Sequence, residues 1–337
     1  MKELRVGVLG LGIGMRHART VQGHPAAALA ALCDPDTTAL AAGGKEFPQA
    51  RLFSSPEEFL DAPDLDVVCI ASPDDAHFAQ ARGALERGRH VFVEKPLCQH
   101  EGQTRSLAEL LARRPELRLS SNLVLRTCPR FLALRQGLEQ GRLGTLYHIE
   151  ADYFWGRKHK LLGGWRAEMD FYSIIQGAAV HMVDLALFLT GRRPLAVTAL
   201  GSDVGVRGTA QRHNAFAVLL LRFADGLSAK IAAHGGCEHP HFHRVAAYGE
   251  RGVFQAELAG AGWIGSSEPE ASPEPEAAAY PGREERGLVL ASFLDALRGS
   301  AVQPLVSQAD SFAAMSICHA ADRSVATGQE CPIEYLC

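Results

Sequence analysis

Nowhere in the 337-residue chain does an apolar stretch reach the eighteen or so residues that a bilayer-spanning helix needs, so no membrane partner is expected. Basic residues never run five or six together and the formal net charge is -4, which argues against nucleic acid or an anionic lipid surface as a partner. The 8 cysteines form no C-x-x-C pair and no matched spacing. That excludes a disulfide framework or a zinc knuckle and reads as reduced thiols. The first residues, MKELRVGVLG, lack a secretory segment, and a cytoplasmic location follows as the expectation. No internal repeat is present. What remains is ordinary: 47% apolar and 21% charged residues, the balance of a protein with a large core, at a length that suits two domains.

Up to about residue 122, short apolar runs alternate with amphipathic stretches. Leu4–Leu9, Leu29–Cys33, Val67–Ala71, His90–Glu94 and Leu117–Ser121 read as strands, with helices over Arg16–Gln22 and Asp75–Arg87. Strands alternating with helices imply βαβ units and a doubly wound parallel sheet. From residue 123 onward the pattern changes. A helix at Pro129–Glu139 precedes the runs Leu146–Phe154, Leu195–Leu200, Ala215–Phe223, Leu227–Ala233, Arg244–Tyr248 and Gly252–Glu257. Hairpin turns at Phe223–Leu227 and Tyr248–Gly252, with glycine supplying positive φ, predict a large, open, mainly antiparallel sheet, interrupted by a helix at Ala178–Thr190. Gly265–Gly287, with four prolines and six glutamates, reads as a surface loop outside the core. Helices near Glu284–Arg298 and Gln308–Thr327 close the chain. The class is therefore α/β: a Rossmann domain over 1–122, then a substrate and oligomerisation domain over 123–337 whose last helix packs back on the first.

Val6-Gly7-Val8-Leu9-Gly10-Leu11-Gly12-Ile13-Gly14 lies between the first strand and the first helix. A pyrophosphate needs a backbone it can approach closely and free N–H groups at a helix start. Gly10 suits the tight turn and Gly12 the phosphate face, although Met15 stands where the G-x-G-x-x-G spacing expects its third glycine. Asp34 ends the second strand about 20 residues further on, where a carboxylate can accept from both ribose hydroxyls and repel a 2′-phosphate. It also suits a plain loop cap before Pro35. No Lys or Arg follows before Lys45, which favours NAD over NADP.

The glycine turn, Ala71-Ser72-Pro73, His77 and Val91-Phe92-Val93-Glu94-Lys95-Pro96, with a later H-x-x-D helix, resemble the glucose–fructose oxidoreductase/inositol dehydrogenase (Gfo/Idh/MocA) family. The resemblance covers nearly the whole chain. It implies a Rossmann domain joined to a domain whose open sheet makes homodimers or homotetramers. It also implies that Gly14 takes the third glycine's role, since Gly14 and His17 keep the family's offset. The implied cofactor contacts are Gly10, Gly12, Ile13, Gly14, Asp34, Ser72, Pro73, His77, Glu94, Lys95 and Asn122. Ser121–Arg126, Tyr153–Arg157 and Pro240–His243 are similar to a subgroup associated with cell-surface sugar or sugar-nucleotide pathways.

Taking a hydride from a carbinol requires a base for the hydroxyl proton and a cation beside the oxygen. The resemblance implies His181 as the base and Lys95 as the cation. Asp184, three residues after His181, shares its helix face and is suited to orient the imidazole or reach the substrate. One departure stands out: the acid that family members often carry four residues before this histidine is Gly177 here. Either the relay consists of Lys95 and His181 alone, or a carboxylate such as Glu168 or Asp170 replaces it. Arg126, Tyr153, Arg166, Tyr172, His181 and His241, with His243, are the candidates to line a sugar site. No third ligand accompanies His241 and His243, so no metal is expected. The reading is an NAD-dependent oxidoreductase acting on a sugar, cyclitol or sugar nucleotide. A non-catalytic NAD(P)-binding sensor is the alternative, and a cofactor recycled within each turnover is a third case.

Overall fold

A computed structural model describes residues 3–268, 270, 272–299 and 303–336. The chain forms two compact units, one taking Met1–Leu123 and Glu284–Phe312, the other Val124–Arg283 and Ala313–Tyr335. Among the described residues no helix is long and apolar enough to cross a membrane.

The first unit holds six strands, β1 (Leu4–Leu9), β2 (Ala27–Cys33), β3 (Arg51–Phe53), β4 (Val67–Ile70), β5 (His90–Val93) and β6 (Leu119–Ser121), all parallel in the order β3-β2-β1-β4-β5-β6. This is the doubly wound dinucleotide-binding order, in which ligands sit beyond the carboxyl ends of the strands. Val6, Val8, Val67, Val68, Ile70, Val91, Phe92 and Val93 are fully buried, as a sheet covered on both faces requires. The returning segment Glu284–Phe312 covers part of it: Phe293 lies 5.9 Å from Phe92 between ring centroids, and Ser120 Oγ donates to the Val306 carbonyl.

The second unit is a nine-stranded sheet in the order β14-β13-β12-β11-β7-β10-β9-β8-β15. Its strands are β7 (Leu146–Phe154), β8 (Ala196–Ser202), β9 (Phe216–Arg222), β10 (Ser228–His234), β11 (Phe242–Gly249), β12 (Gly252–Glu257), β13 (Gly260–Ile264), β14 (Glu274–Pro275) and β15 (Cys331–Pro332). All neighbours are antiparallel except β7 and β10. On one face Leu200 and Leu220 are exposed, and Lys230 and Arg244 bind the carboxylates of Asp152, Glu150 and Glu257. The opposite face is apolar and carries Tyr153 and His243.

Two expectations change. The Gly265–Gly287 segment lies at the surface, with none of its described residues buried, but it is pinned to the sheet and does not run free of it (Pro269 and Ala271 lie outside the described residues). Glu274–Pro275 pairs with β13, Glu276 accepts from the Trp263 indole N–H, and the Tyr280 ring packs against Phe131 and Phe242. The two hairpins also differ. Gly226 has φ 84, the reason foreseen, but neither Gly249 nor Gly252 has positive φ. A Cβ on Gly249 would strike the Leu143 carbonyl oxygen and one on Gly252 the Ile264 carbonyl oxygen, so close backbone approach is what demands glycine there.

Candidate active site

Three glycines at the end of β1 are glycine for three different reasons. Gly10 has φ 88, and a Cβ on it would come 2.5 Å from the Ala71 carbonyl carbon and 2.6 Å from Ser72 N. Gly14 opens the helix Gly14–Gln22, and its Cβ would lie 2.9 Å from Val8 Cγ1, so it sets how closely that helix packs on the strand. At Gly12 an added Cβ meets nothing within 4 Å. Ile13, at the N-cap, offers no side-chain cap and is exposed, so the helix start keeps donors for an anion. Replacing Gly10 with alanine forces a positive φ and a backbone clash together. NADH affinity measured by fluorescence titration is expected to drop at least about 100-fold.

Asp34 realises its loop-cap role: Oδ2 accepts from Leu11 N at 2.7 Å and Oδ1 from Asp36 N at 2.9 Å. Each oxygen keeps a further lone pair for a ribose hydroxyl. Beyond β4, Ser72 Oγ donates to Gln80 Oε1 at 2.6 Å, and Pro73 continues the same turn. His77 opens the helix His77–Glu86. It has no exposed surface, and its ring nitrogens lie 3.0 Å from the Ser72 carbonyl and 2.6 Å from the Pro96 carbonyl. It therefore braces the turn after β4 against the Glu-Lys-Pro turn.

Glu94 follows β5. Its Oε1 accepts from Asn122 Nδ2 at 2.6 Å and lies 3.0 Å from His17 Nε2, and the Lys95 N–H donates to its Oε2 at 3.3 Å. Burial raises its pKa, but the bond and charge of His17, the Lys95 charge and the Asn122 bond outweigh that and hold it at about 2. A value below the ordinary 4.5 means that Glu94 stabilises the fold above that pH and loses its contribution as pH falls toward 2. Urea unfolding of Glu94→Gln is accordingly expected to show lower stability at pH 7 and a flatter decline between pH 4.5 and 2 than the parent protein. Asn122 Oδ1 is buried and has no hydrogen-bond partner. An orphan acceptor costs about 1–3 kcal/mol unless a ligand donates to it. The carboxamide NH2 of a nicotinamide is such a donor, so the glycine turn, Asp34 and Asn122 fit a dinucleotide. Lys95 is half-buried just past the carboxyl end of β5.

In the second unit the helix Val180–Thr190 is preceded by a π turn, Ile175–Ala179. His181, on its first turn, is buried and meets the edge of Tyr153 at 6.1 Å between centroids. Tyr153 tilts over His243 at 4.4 Å and meets His241 at 5.3 Å. His241 Nδ1 lies 3.0 Å from the Trp155 carbonyl, and His243 Nδ1 lies 2.8 Å from the Tyr280 hydroxyl. Tyr153, His181, His241 and His243 thus form one polar, ring-lined cluster. Tyr280, which joins it from the Pro- and Glu-rich segment, carried no signal in the sequence. Arg166 stacks over Trp165 at 3.8 Å and faces Trp155 at 5.4 Å. Glu168 and Asp170 are exposed. Tyr172 is buried with its hydroxyl against Gly177. Among the described residues no three His, Cys, Asp or Glu side chains converge as a metal site would.

Asp184 and Arg126 form one ion pair. Their assignments were separate, one to catalysis and one to substrate, yet they bind each other: Arg126 Nη2 donates to Asp184 Oδ1 at 2.6 Å, and Nε lies within 3.1 Å of both carboxylate oxygens. Asp184 is 0% and Arg126 7% exposed. The pair fastens the turn Val124–Thr127 to the helix Val180–Thr190.

Residues 4–122 match the oxidoreductase family with an NAD-binding Rossmann fold, and residues 131–255 match the GFO/IDH/MocA C-terminal domain. The uncharacterized oxidoreductase YdgJ of Escherichia coli is 32% identical over 199 residues, 58% of this chain and 56% of YdgJ, so the match spans little more than half of that protein. Inositol 2-dehydrogenase of Rhizobium meliloti is 27% identical over 269 residues, 75% of this chain and 76% of that one. Among solved structures, the WlbA dehydrogenase from Bordetella pertussis, in complex with NADH and UDP-GlcNAcA, shares the fold with a TM-score of 0.82 at 23% identity over 99% of both chains. With the parallel sheet, the glycine turn and both sequence matches in agreement, the chain belongs to the Gfo/Idh/MocA family of NAD-binding oxidoreductases.

Proposed function

We propose that this protein transfers a hydride between NAD and a secondary hydroxyl or ketone of a sugar, cyclitol or sugar nucleotide. The observation that carries this reading is a single stretch of the first unit. Within a few residues of the end of β5, it carries a half-buried lysine, a half-buried glutamate and, through Asn122, an acceptor suited to a nicotinamide amide. Bound NAD supplies the hydride acceptor. The Lys95 ammonium stabilises charge as it grows on the carbinol oxygen, and the His181 imidazole holds the hydroxyl proton. Tyr153, His241 and His243 offer ring faces and hydrogen-bonding edges suited to a polyol, and Arg166 offers a cation for an acidic substituent. Inositol 2-dehydrogenase and a dehydrogenase crystallised with UDP-GlcNAcA among the relatives favour the same substrate classes. Copies of this cytoplasmic protein associate, in this reading, through the sheet face bearing Leu200 and Leu220. Asp34 at the ribose end repels a 2′-phosphate. In fluorescence titrations NADH is therefore expected to bind at least about tenfold tighter than NADPH; equal affinities would contradict the Asp34 assignment.

A further inference from the structure

Two histidines of the ring cluster are bonded to partners of different kinds. A backbone carbonyl has no proton to give. At 3.0 Å from the Trp155 oxygen, the neutral His241 ring must therefore carry its hydrogen on Nδ1, which puts its lone pair on Nε2. His243 is the reverse case. The Tyr280 hydroxyl accepts the His243 backbone N–H at 2.8 Å and lies 2.8 Å from His243 Nδ1. Among the described residues both hydrogen bonds of this phenol are with His243, so its own proton is directed at Nδ1. Burial raises the phenol above its ordinary value of 10, which keeps that proton in place. The neutral His243 ring accordingly carries its hydrogen on Nε2.

Several elements hold the phenol where it is. Glu276 accepts from the Trp263 indole and from the Ala278 N–H, and the Ala279 carbonyl accepts the Arg130 N–H at 3.2 Å. The Arg130 guanidinium lies 5.2 Å over the Tyr280 ring, which Phe131 and Phe242 flank at 6.1 and 5.1 Å. A surface segment is thus pinned around the one side chain that reaches His243. His241 and His243 alternate along an extended backbone and so share a face. Their rings lie 5.1 Å apart and nearly perpendicular, and both meet Tyr153. Tyr153 is the cross-strand partner of His243, and its ring also meets His181 at 6.1 Å.

We propose that His241 and His243 are a hydroxyl-recognition pair of opposed tautomers, His241 Nε2 accepting and His243 Nε2–H donating, with Tyr280 as the positioning residue that fixes the second. This rests on the oxidoreductase reading above and deepens it. A hydroxyl both donates and accepts, so one acceptor beside one donor suits neighbouring hydroxyls of a polyol. A carboxylate or phosphate oxygen only accepts and would meet the His241 lone pair, so an acidic substituent is directed away from this point. The proton fixed on Nε2 also bars His243 from serving as a base at that nitrogen.

The test uses the full chain with NAD bound and nitrogen-15 in its histidines, as wild type, Tyr280→Phe, His243→Gln and the double variant. The imidazole nitrogens are read by NMR at about pH 8.5, where neutral rings predominate, and assigned with His241→Gln and His243→Gln. His241 is expected to be protonated on Nδ1 and His243 on Nε2. Tyr280→Phe should turn His243 into a mixture of both tautomers and leave His241 unchanged. The same tautomer at both rings, or a His243 unmoved in Tyr280→Phe, overturns the proposal. The kinetic readout uses a panel of cyclitols, hexoses and UDP-sugars. Tyr280→Phe is expected to raise KM about tenfold with kcat within about threefold, the pattern of one weakened hydrogen bond made equally in the ground and transition states. His243→Gln carries an amide donor with no tautomer to set, so adding Tyr280→Phe to it should change KM less than about twofold, whereas a purely structural phenol would cost the same in both backgrounds. An equal change in both backgrounds also overturns the proposal. If wild type binds NADH but reduces no NAD with any member of the panel, the oxidoreductase reading fails, and the tautomers still decide the Tyr280 assignment.

Discussion

Replacing Lys95 with alanine is expected to lower kcat by roughly a thousandfold while the dissociation constant for NADH stays within about threefold. The magnitude is that of removing a preorganised charge from the oxygen that becomes negative in the transition state. The separation of the two effects follows from where the residue sits. The contacts that fit the dinucleotide come from Gly10, Gly12, Gly14, Asp34 and Asn122, whereas Lys95 follows β5 with its backbone N–H on Glu94. Arginine is not expected to rescue it, because a planar fork does not replace a compact ammonium at one oxygen. Absorbance at 340 nm gives the rate and nicotinamide fluorescence the affinity. A Lys95→Ala enzyme at full rate removes the residue from the mechanism.

The second large effect is on stability. Asp184→Ala should cost about 3–5 kcal/mol in urea unfolding, since it leaves the Arg126 guanidinium buried without its counter-charge. Replacing both partners with apolar residues of similar volume, Arg126→Met with Asp184→Leu, should regain most of that loss, because the cost arises from the stranded charge and not from the missing bond. An Asp184→Ala protein that unfolds like wild type but has lost turnover would return Asp184 to the catalytic set and refute the clamp.

The contrast between Asp184 and Lys95 shows where residue patterns inform and where they do not. The parallel sheet was legible because buried βαβ strands are continuous apolar runs ended by glycine or a polar residue, as Val67–Ile70 and His90–Val93 are. The hairpins were legible from Asp225-Gly226 and Gly249. Strands of two residues, such as Glu274–Pro275 and Cys331–Pro332, have no period to read and exist only because a neighbouring edge is available to pair with. The Asp184–Arg126 bond joins residues 58 apart, and nothing local distinguishes a carboxylate facing a guanidinium from one facing a substrate. Helix spacing therefore linked Asp184 to His181, while tertiary packing gave it Arg126. His77 was found by motif, whereas its seat between the Ser72 and Pro96 carbonyls was visible only in three dimensions. Gly177 was visible as a departure, whereas the phenol occupying its space, five residues away in an irregular segment, was visible only in three dimensions.

The most direct test follows the hydrogen itself. The protein is incubated with NAD and a panel of cyclitols and UDP-sugars carrying deuterium on the carbinol carbons. It is then denatured, and the mass of the released nicotinamide cofactor is measured, so that a cofactor retained between turnovers is read as well. Deuterium appearing in the reduced cofactor from at least one member of the panel, and disappearing with Lys95→Ala, is the predicted result. A cofactor that binds yet stays oxidised and unlabelled with every compound would contradict hydride transfer from a carbinol.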